Sequence, residues 1–331
     1  MSVQLLEQSD SSAAASTPGA TRLSTGGAEV AQAPAHVVMV RPHRFTVNPA
    51  TAADNAYQRP SAGGVDPASS AYQESTRLAE ALTEAGVGVS LFDDEEGLSP
   101  DSVFPNNWFT THPGGQVVLS SMYAPNRRQE RRDDVVEHLR DEFQVSEVID
   151  LSAAEQANQF LEGTGAVVID HTAGAAYGCR SHRLSEELFT HYCDLLGLEP
   201  VLFDAVDAGG KPVFHTNIML SVGETVVLIG SELIRDPAQR AAVLQRLRES
   251  GRTVVELTET QIRGFAGNAL QLTGENGPVL AMSATARAAL RPDQVEEISR
   301  RSQILSADVS TIESSGGSVR CMLAGIHLPA R

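Results

Sequence analysis

The chain has 331 residues, 41% of them hydrophobic, enough for a sizeable core in one large domain or two. A formal net charge of −17 argues against a nucleic-acid backbone or an anionic membrane surface as partner, and mainly favours solubility. No run of about eighteen apolar residues occurs, so no membrane span is expected.

Residues 1–35 are rich in Ala, Ser, Thr and Gly and nearly free of large apolar groups, which predicts a disordered tail. They lack the basic start and apolar stretch of a secretory signal. The odd cysteine count (Cys179, Cys193, Cys321) shows no disulfide framework and points to a reducing compartment, with a cytoplasmic location as the expectation. Cys179, His182 and His171 lack a second metal-ligand element, so no metal is expected.

Ordered sequence is predicted to begin at "HVVMVRP", a strand that Pro42 ends. Residues 48–68 read as loop. "SSAYQESTRLAEALTEAG" has helical spacing and stops at Gly86, and "VGVSLF" follows as strand. "VFPNNWFTT" reads as a strand holding an unusual amide pair, Asn106 and Asn107, with Trp108 as core behind it. A pattern of strand, strand, helix, strand then recurs. It appears as "GGQVVLSSMY", "RRQERRDDVVEHLRDEF" and "QVSEVIDL", and as "GAVVIDH", "LSEELFTHYCDLLG" and "EPVLFDA". It returns through "HTNIMLSVGETVVLIG", "DPAQRAAVLQRLRESG" and "RTVVEL", and again through "GNALQLTGENGPVLAMS", "ATARAALRPDQVEEISRRS" and "QILSAD". "GGSVRCMLAGIHLP" starts one more strand with no helix after it.

The residues opening these units are Asn107, Glu162, His215, Asn268 and Cys321, separated by 55, 53, 53 and 53 positions. Such regularity predicts a radial repeat of five units, with equivalent positions aimed at one axis and the two chain ends sharing a unit. Taken singly, each residue has an ordinary structural reading: a buried small hydrophobe for the cysteine, turn or core positions for the others. Brought together, Cys321, His215 and Glu162 make a nucleophile, a base and a carboxylate. A thiolate attacks, the histidine moves protons, and the glutamate accepts from a planar nitrogen-rich group.

"LEGTG", "HTN", "CRSHR" and "GGSVRCMLAGIHLP" together resemble the guanidine-modifying (pentein) superfamily, which includes arginine deiminases, dimethylarginine dimethylaminohydrolases and amidinotransferases. The likeness covers residues 36–331 and is strongest to amidinotransferase-like hydrolases of citrulline utilisation. It implies an α/β fold, a five-bladed pseudosymmetric propeller, as one catalytic domain over residues 36–331. It also implies Cys321 as nucleophile, His215 as acid/base, Glu162 as holder of the planar group, and Arg183 as binder of a substrate carboxylate. Asn107 stands where relatives carry a guanidinium-binding aspartate, Asn217 where deiminases often have aspartate, and Ala166 where a second acid is usual. Asn107, Arg183, Asn217 and Asn268 are thus the expected substrate-binding set.

A guanidinium entering a confined site needs anionic partners, and this set keeps one carboxylate of the usual cluster. An asparagine amide both donates and accepts, which suits a neutral ureido group. The expectation is a cysteine-dependent C–N hydrolase that needs no metal or organic cofactor. Its small-molecule substrate is a ureido or guanidino amino acid, citrulline first and arginine or methylated arginine next. Amidino transfer to an acceptor amine and non-catalytic binding are the alternatives. A homodimer is left open.

Overall fold

The computed structural model describes residues 30–59, 66–97 and 99–331. The predicted tail lies outside these residues except for its last positions, and those are packed. Gln32, Ala33 and Pro34 are buried, and the Gln32 side-chain amide donates to the Ile169 and Val222 carbonyls, both at 2.9 Å. The folded chain is therefore in place a few residues before 36.

Among the described residues, fifteen strands form five separate three-stranded sheets. β1 (His36–Pro42) and β2 (Gly88–Asp94) share a sheet with β15 (Ala324–Ile326). The next two sheets are β3 (Phe109–Thr111), β4 (Gln116–Leu119) and β5 (Glu147–Asp150), then β6 (Val167–Asp170), β7 (Ala175–Cys179) and β8 (Glu199–Phe203). The last two are β9 (Leu220–Val222), β10 (Val226–Ile229) and β11 (Thr253–Glu256), then β12 (Leu270–Gly274), β13 (Gly277–Ser283) and β14 (Gln303–Ala307).

All five share one pattern: a middle strand antiparallel to the first and parallel to the third. A short turn suffices for the antiparallel step, whereas the parallel step needs a crossover, which here carries the helix. In the first sheet the pairing His36↔Ile326 joins the two ends of the described chain. The architecture is mixed α/β, and its five like sheets fit the five-fold repeat.

The middle strands explain the sheet order. "VVLI" in β10 is wholly buried and reads as a continuous apolar run, as a strand covered on both faces must. Helix Pro67–Glu84 starts where the Asp66 carboxylate accepts the Ala68 and Ser69 amides, has Pro67 in its first turn, and buries Leu78 and Leu82. Three readings are corrected. Pro105–Asn107 is a 3₁₀ turn ahead of β3, because Pro105 has no amide hydrogen to give a ladder, so the amide pair is not inside a strand. Residues 284–302 hold two helices, Ala284–Ala289 and Pro292–Ser299, divided at Pro292. Cys321 sits in the helical turn Val319–Met322 rather than on a strand.

Candidate active site

Each of the five repeat positions lies a few residues ahead of the first strand of its sheet. Asn107 ends the 3₁₀ turn before β3, Glu162 precedes the turn Gly163–Ala166 before β6, and His215 precedes the turn Thr216–Ile218 before β9. Asn268 leads into β12, and Cys321 into β15. Asn107, His215 and Cys321 line one cavity of about 20 Å³, together with Asp101, Arg127 and Arg183.

Glu162 organises this cluster. It is fully buried, and its Oε2 meets His215 Nε2 at 2.8 Å and accepts from Arg183 Nη1 at 3.3 Å, while its Oε1 accepts the Tyr123 amide at 3.0 Å. Burial alone would raise its pKa, but Arg183, the His215 hydrogen bond and Arg127 outweigh burial and hold the carboxyl well below its usual range. Burial pushes the His215 pKa below the usual histidine value, against the pull of Glu162, so the resting imidazole is neutral at neutral pH.

Two side-chain amides converge on the thiol. Asn268 Nδ2 lies 3.3 Å and Asn217 Nδ2 3.6 Å from Cys321 Sγ. Both amides are placed to donate to the sulfur. Asn217 and Asn268, expected to contact substrate, therefore face the nucleophile. Asn268 Oδ1 is buried without a partner.

Arg183 is buried with its Nε and Nη2 on Asp54, both at 2.8 Å, and its guanidinium lies 4.7 Å above the Phe214 ring. Its forked face is thus already engaged by a carboxylate. The Asp54 carboxyl, which burial would raise, is held below its usual pKa by that hydrogen bond.

Sequence reasoning missed three charged residues here: Asp54, Asp101 and Arg127. Arg127 is buried, chelates Glu130 through Nε and Nη2 at 2.8 Å each, and donates from Nη2 to Asn107 Oδ1 at 3.0 Å. Asp101 Oδ2 accepts from Asn48 Nδ2 at 2.7 Å, whereas Oδ1 is buried without a partner. The "NRRQE" run offered a signal for Arg127, an Arg and a Glu three apart on a helical turn. Asp54 and Asp101 carried none, because their partners are remote in sequence.

Gly165 sets the spacing between Asn107 and His215. A Cβ there would lie 2.2 Å from Asn107 Nδ2 and 2.9 Å from His215 Nδ1, so only glycine lets both approach. Gly316, at φ +85°, packs on the Asn55 amide, and Asn55 Nδ2 donates to the Ser315 carbonyl at 3.0 Å. Thr51 and Asn55 of the 48–59 stretch, with Ser315, Gly316 and Gly317, form part of the cavity wall.

The family described as "N,N dimethylarginine dimethylhydrolase, eukaryotic" matches residues 41–328. A Caenorhabditis elegans protein described as uncharacterized is 26% identical over 293 residues, spanning 87% of this chain and 92% of its own. Among solved structures, an arginine dihydrolase from the ornithine–ammonia cycle in cyanobacteria superposes with a TM-score of 0.69 at 18% identity. That match covers 89% of this chain and 41% of the cyanobacterial one, so this chain spans about two fifths of that protein. A dimethylarginine dimethylaminohydrolase, solved as an adduct with 4-chloro-2-hydroxymethylpyridine, superposes with a TM-score of 0.61 at 18% identity, over 88% of this chain and 99% of that one. At these identities the structural likeness is one of fold.

Proposed function

The chain belongs to the dimethylarginine dimethylhydrolase family of hydrolases, within the pentein superfamily, and on that premise we propose that it hydrolyses the ureido group of a small amino acid, citrulline first. Its five sheets would close as a propeller around the axis on which the site lies.

The observation that carries the substrate choice is the Arg127–Asn107 contact. Arg127 Nη2 occupies Asn107 Oδ1, and Asn107 Nδ2 is left buried without a partner beside His215. An amide in that state has an unpartnered donor, while its oxygen already accepts from a cation. A ureido oxygen takes that donor, whereas a guanidinium has only N–H groups to present. Two buried arginines beside Glu162 add to the cost of a third cation. The unpartnered Asp101 Oδ1 supplies an acceptor for an N–H of the amino-acid end.

Cys321, His215 and Glu162 carry the chemistry. Neutral His215 takes the thiol proton, and the resulting imidazolium is stabilised by Glu162 at 2.8 Å. The Cys321 thiolate, backed by the Asn217 and Asn268 amides, attacks the ureido carbon. The bond from that carbon to the δ-nitrogen breaks as His215 returns its proton to the departing nitrogen, which frees ornithine and leaves an S-carbamoyl cysteine. His215 then takes a proton from water as water attacks the thiocarbamate. Carbamate leaves and decomposes to ammonia and carbon dioxide, and the proton returns to the thiolate. A cavity of about 20 Å³ is smaller than an amino acid, so admission would require part of its wall to open, with the 48–59 stretch that carries Thr51, Asp54 and Asn55 as the segment to move. Opening would also release Arg183 from Asp54 for a substrate carboxylate.

Purified protein is supplied with citrulline, arginine and dimethylarginine, with ornithine, citrulline, ammonia and alkylamine assayed. Ornithine from citrulline without an acceptor amine supports the reading. Turnover of arginine or its methylated form with citrulline untouched would reverse the order of substrates. Product only in the presence of an acceptor amine would make the reaction a transfer.

A further inference from the structure

A second cavity, of about 40 Å³, is lined by the first strands of all five sheets. Thr111 of β3, Ile169 of β6, Ser221 of β9, Leu270 of β12 and Gly325 of β15 contribute to its wall. The five site residues sit ahead of those same strands, so this cavity lies further along the strands, behind the cysteine. Gln32 lies at its wall, bridging the Ile169 and Val222 carbonyls and accepting the His171 amide at 2.7 Å.

The charge distribution there is one-sided. Arg320, the residue before Cys321, extends its side chain into this cavity, and Nη1 donates to the Leu323 carbonyl at 2.9 Å. Among the described residues no carboxylate oxygen lies within 4.0 Å of it. Nearby acids are committed: Asp170 is chelated by Arg252, and Glu224 accepts the Gln32 amide. The other titratable groups on its wall are His327 and His171, with ring centroids 3.9 Å apart; His112 lies outside the lining, 6.0 Å from His171. Burial keeps these histidines below their usual pKa, so at neutral pH they are neutral and the guanidinium is the charge of the cavity. Among the described residues no group of His, Cys, Asp or Glu is arranged to hold a metal ion.

Arg320 is half-buried, and a guanidinium partly withdrawn from water without an anion loses part of its hydration. The Thr111 and Thr164 hydroxyls on the cavity wall already donate to the Gly325 and Asn106 carbonyls, which leaves the Ser221 hydroxyl and the neutral His171 and His327 imidazoles as the donors beside the guanidinium. The volume suits two or three water-sized atoms by the usual measure. We propose that this rear cavity binds a small inorganic monoanion, of the size of chloride or bicarbonate, on the Arg320 guanidinium.

The site is coupled to the nucleophile by the chain itself, since Arg320 and Cys321 share one helical turn. An anion held on Arg320 compensates the positive charge next to Cys321, so a second negative charge at that sulfur, such as develops as it attacks, is met less favourably. A halide or bicarbonate would thus slow reactions of Cys321 from a distance, without touching substrate.

The test uses the full chain at constant ionic strength, with sodium chloride or bicarbonate exchanged against sodium gluconate, an anion too large for the cavity. Melting temperature and the rate of Cys321 alkylation by iodoacetamide are measured. A saturable rise in melting temperature and a matching fall in alkylation rate are expected in chloride or bicarbonate and not in gluconate. Arg320→Gln should weaken the response at least about tenfold. If Arg320→Gln fails to fold, Ser221→Val, which narrows the cavity, should weaken the response instead. No difference between the small anions and gluconate overturns the proposal, as does an undiminished response in the folded variant. Slower alkylation in Arg320→Gln without any anion dependence would also overturn it, leaving Arg320 as a direct partner of the thiolate. The melting arm reads binding alone, so it stands or falls apart from the reaction proposed for Cys321.

Discussion

The two cavities differ in how they treat buried charge. In front, Glu162, Asp54 and Glu130 are each matched to Arg183 or Arg127, and the histidine is matched to Glu162. Behind, two neutral histidines and a Ser221 hydroxyl lie beside one guanidinium that donates to the Leu323 carbonyl. A network of matched charges fixes side chains in place, as a reacting centre needs. A charge with no carboxylate partner among the described residues invites a counter-ion. The same five strands thus carry a preorganised front and a receptive rear.

The largest expected effect falls on the front. Cys321→Ala should lower turnover by at least about a thousandfold while leaving the circular dichroism spectrum unchanged. Comparable turnover in that variant would remove the covalent mechanism. Glu162→Gln comes next, because it leaves Arg183 with less compensation and His215 without its carboxylate. Urea unfolding should show a loss of about 3 kcal/mol at neutral pH. The pH dependence has a definite sign. The folded pKa of Glu162 lies below its unfolded value near 4.5, so its stabilisation is present above that pH and lost as pH falls towards the folded value. The wild type should therefore lose its advantage over the variant on acidification below about pH 4.5, and a constant gap would contradict the pairing.

Gly165→Ala tests the spacing in front. The added Cβ meets Asn107 Nδ2 and His215, so kcat/KM should fall about ten- to a hundredfold with little change in fold. A kinetically silent variant would show that the two groups need not approach so closely. Asn107→Asp should keep the Arg127 contact but replace the free amide donor with an acceptor. The ratio of kcat/KM for arginine to that for citrulline should rise about tenfold; an unchanged ratio would undo the argument for a ureido substrate. Gln32→Ala touches only the rear. It removes hydrogen bonds to Ile169, Val222 and His171 and should cost about 1–2 kcal/mol of stability, with kcat/KM within about twofold. A large kinetic loss would mean that the two ends are not separable.

Much of this was legible because it repeats. The near-constant spacing of Asn107, Glu162, His215, Asn268 and Cys321 follows from five sheets of one topology, each opened by a residue facing the same region. Strand runs such as "VVLI" were legible because burial on both faces leaves a continuous apolar stretch. What stayed hidden was non-periodic. Asp54 meets Arg183 across 129 positions, from a stretch with no pattern beyond loop. The rear histidines come from positions 112, 171 and 327 and look unrelated until β3, β6 and β15 are assembled. Asn107 was placed in the right neighbourhood but the wrong element, because the flanking Val, Phe and Trp favour strand whereas Pro105 forces a turn. Its consequence, an amide with its oxygen already taken, required Arg127, which lies off the repeat.

The central claim is that Cys321 forms a covalent intermediate with a ureido carbon. Intact-mass spectrometry of acid-quenched reactions with citrulline tests it most directly. The account predicts a carbamoyl adduct that maps to Cys321 and is absent from Cys321→Ala. Ornithine accumulating at the wild-type rate while Cys321 is never modified at any time point, or an adduct on another residue, would contradict it.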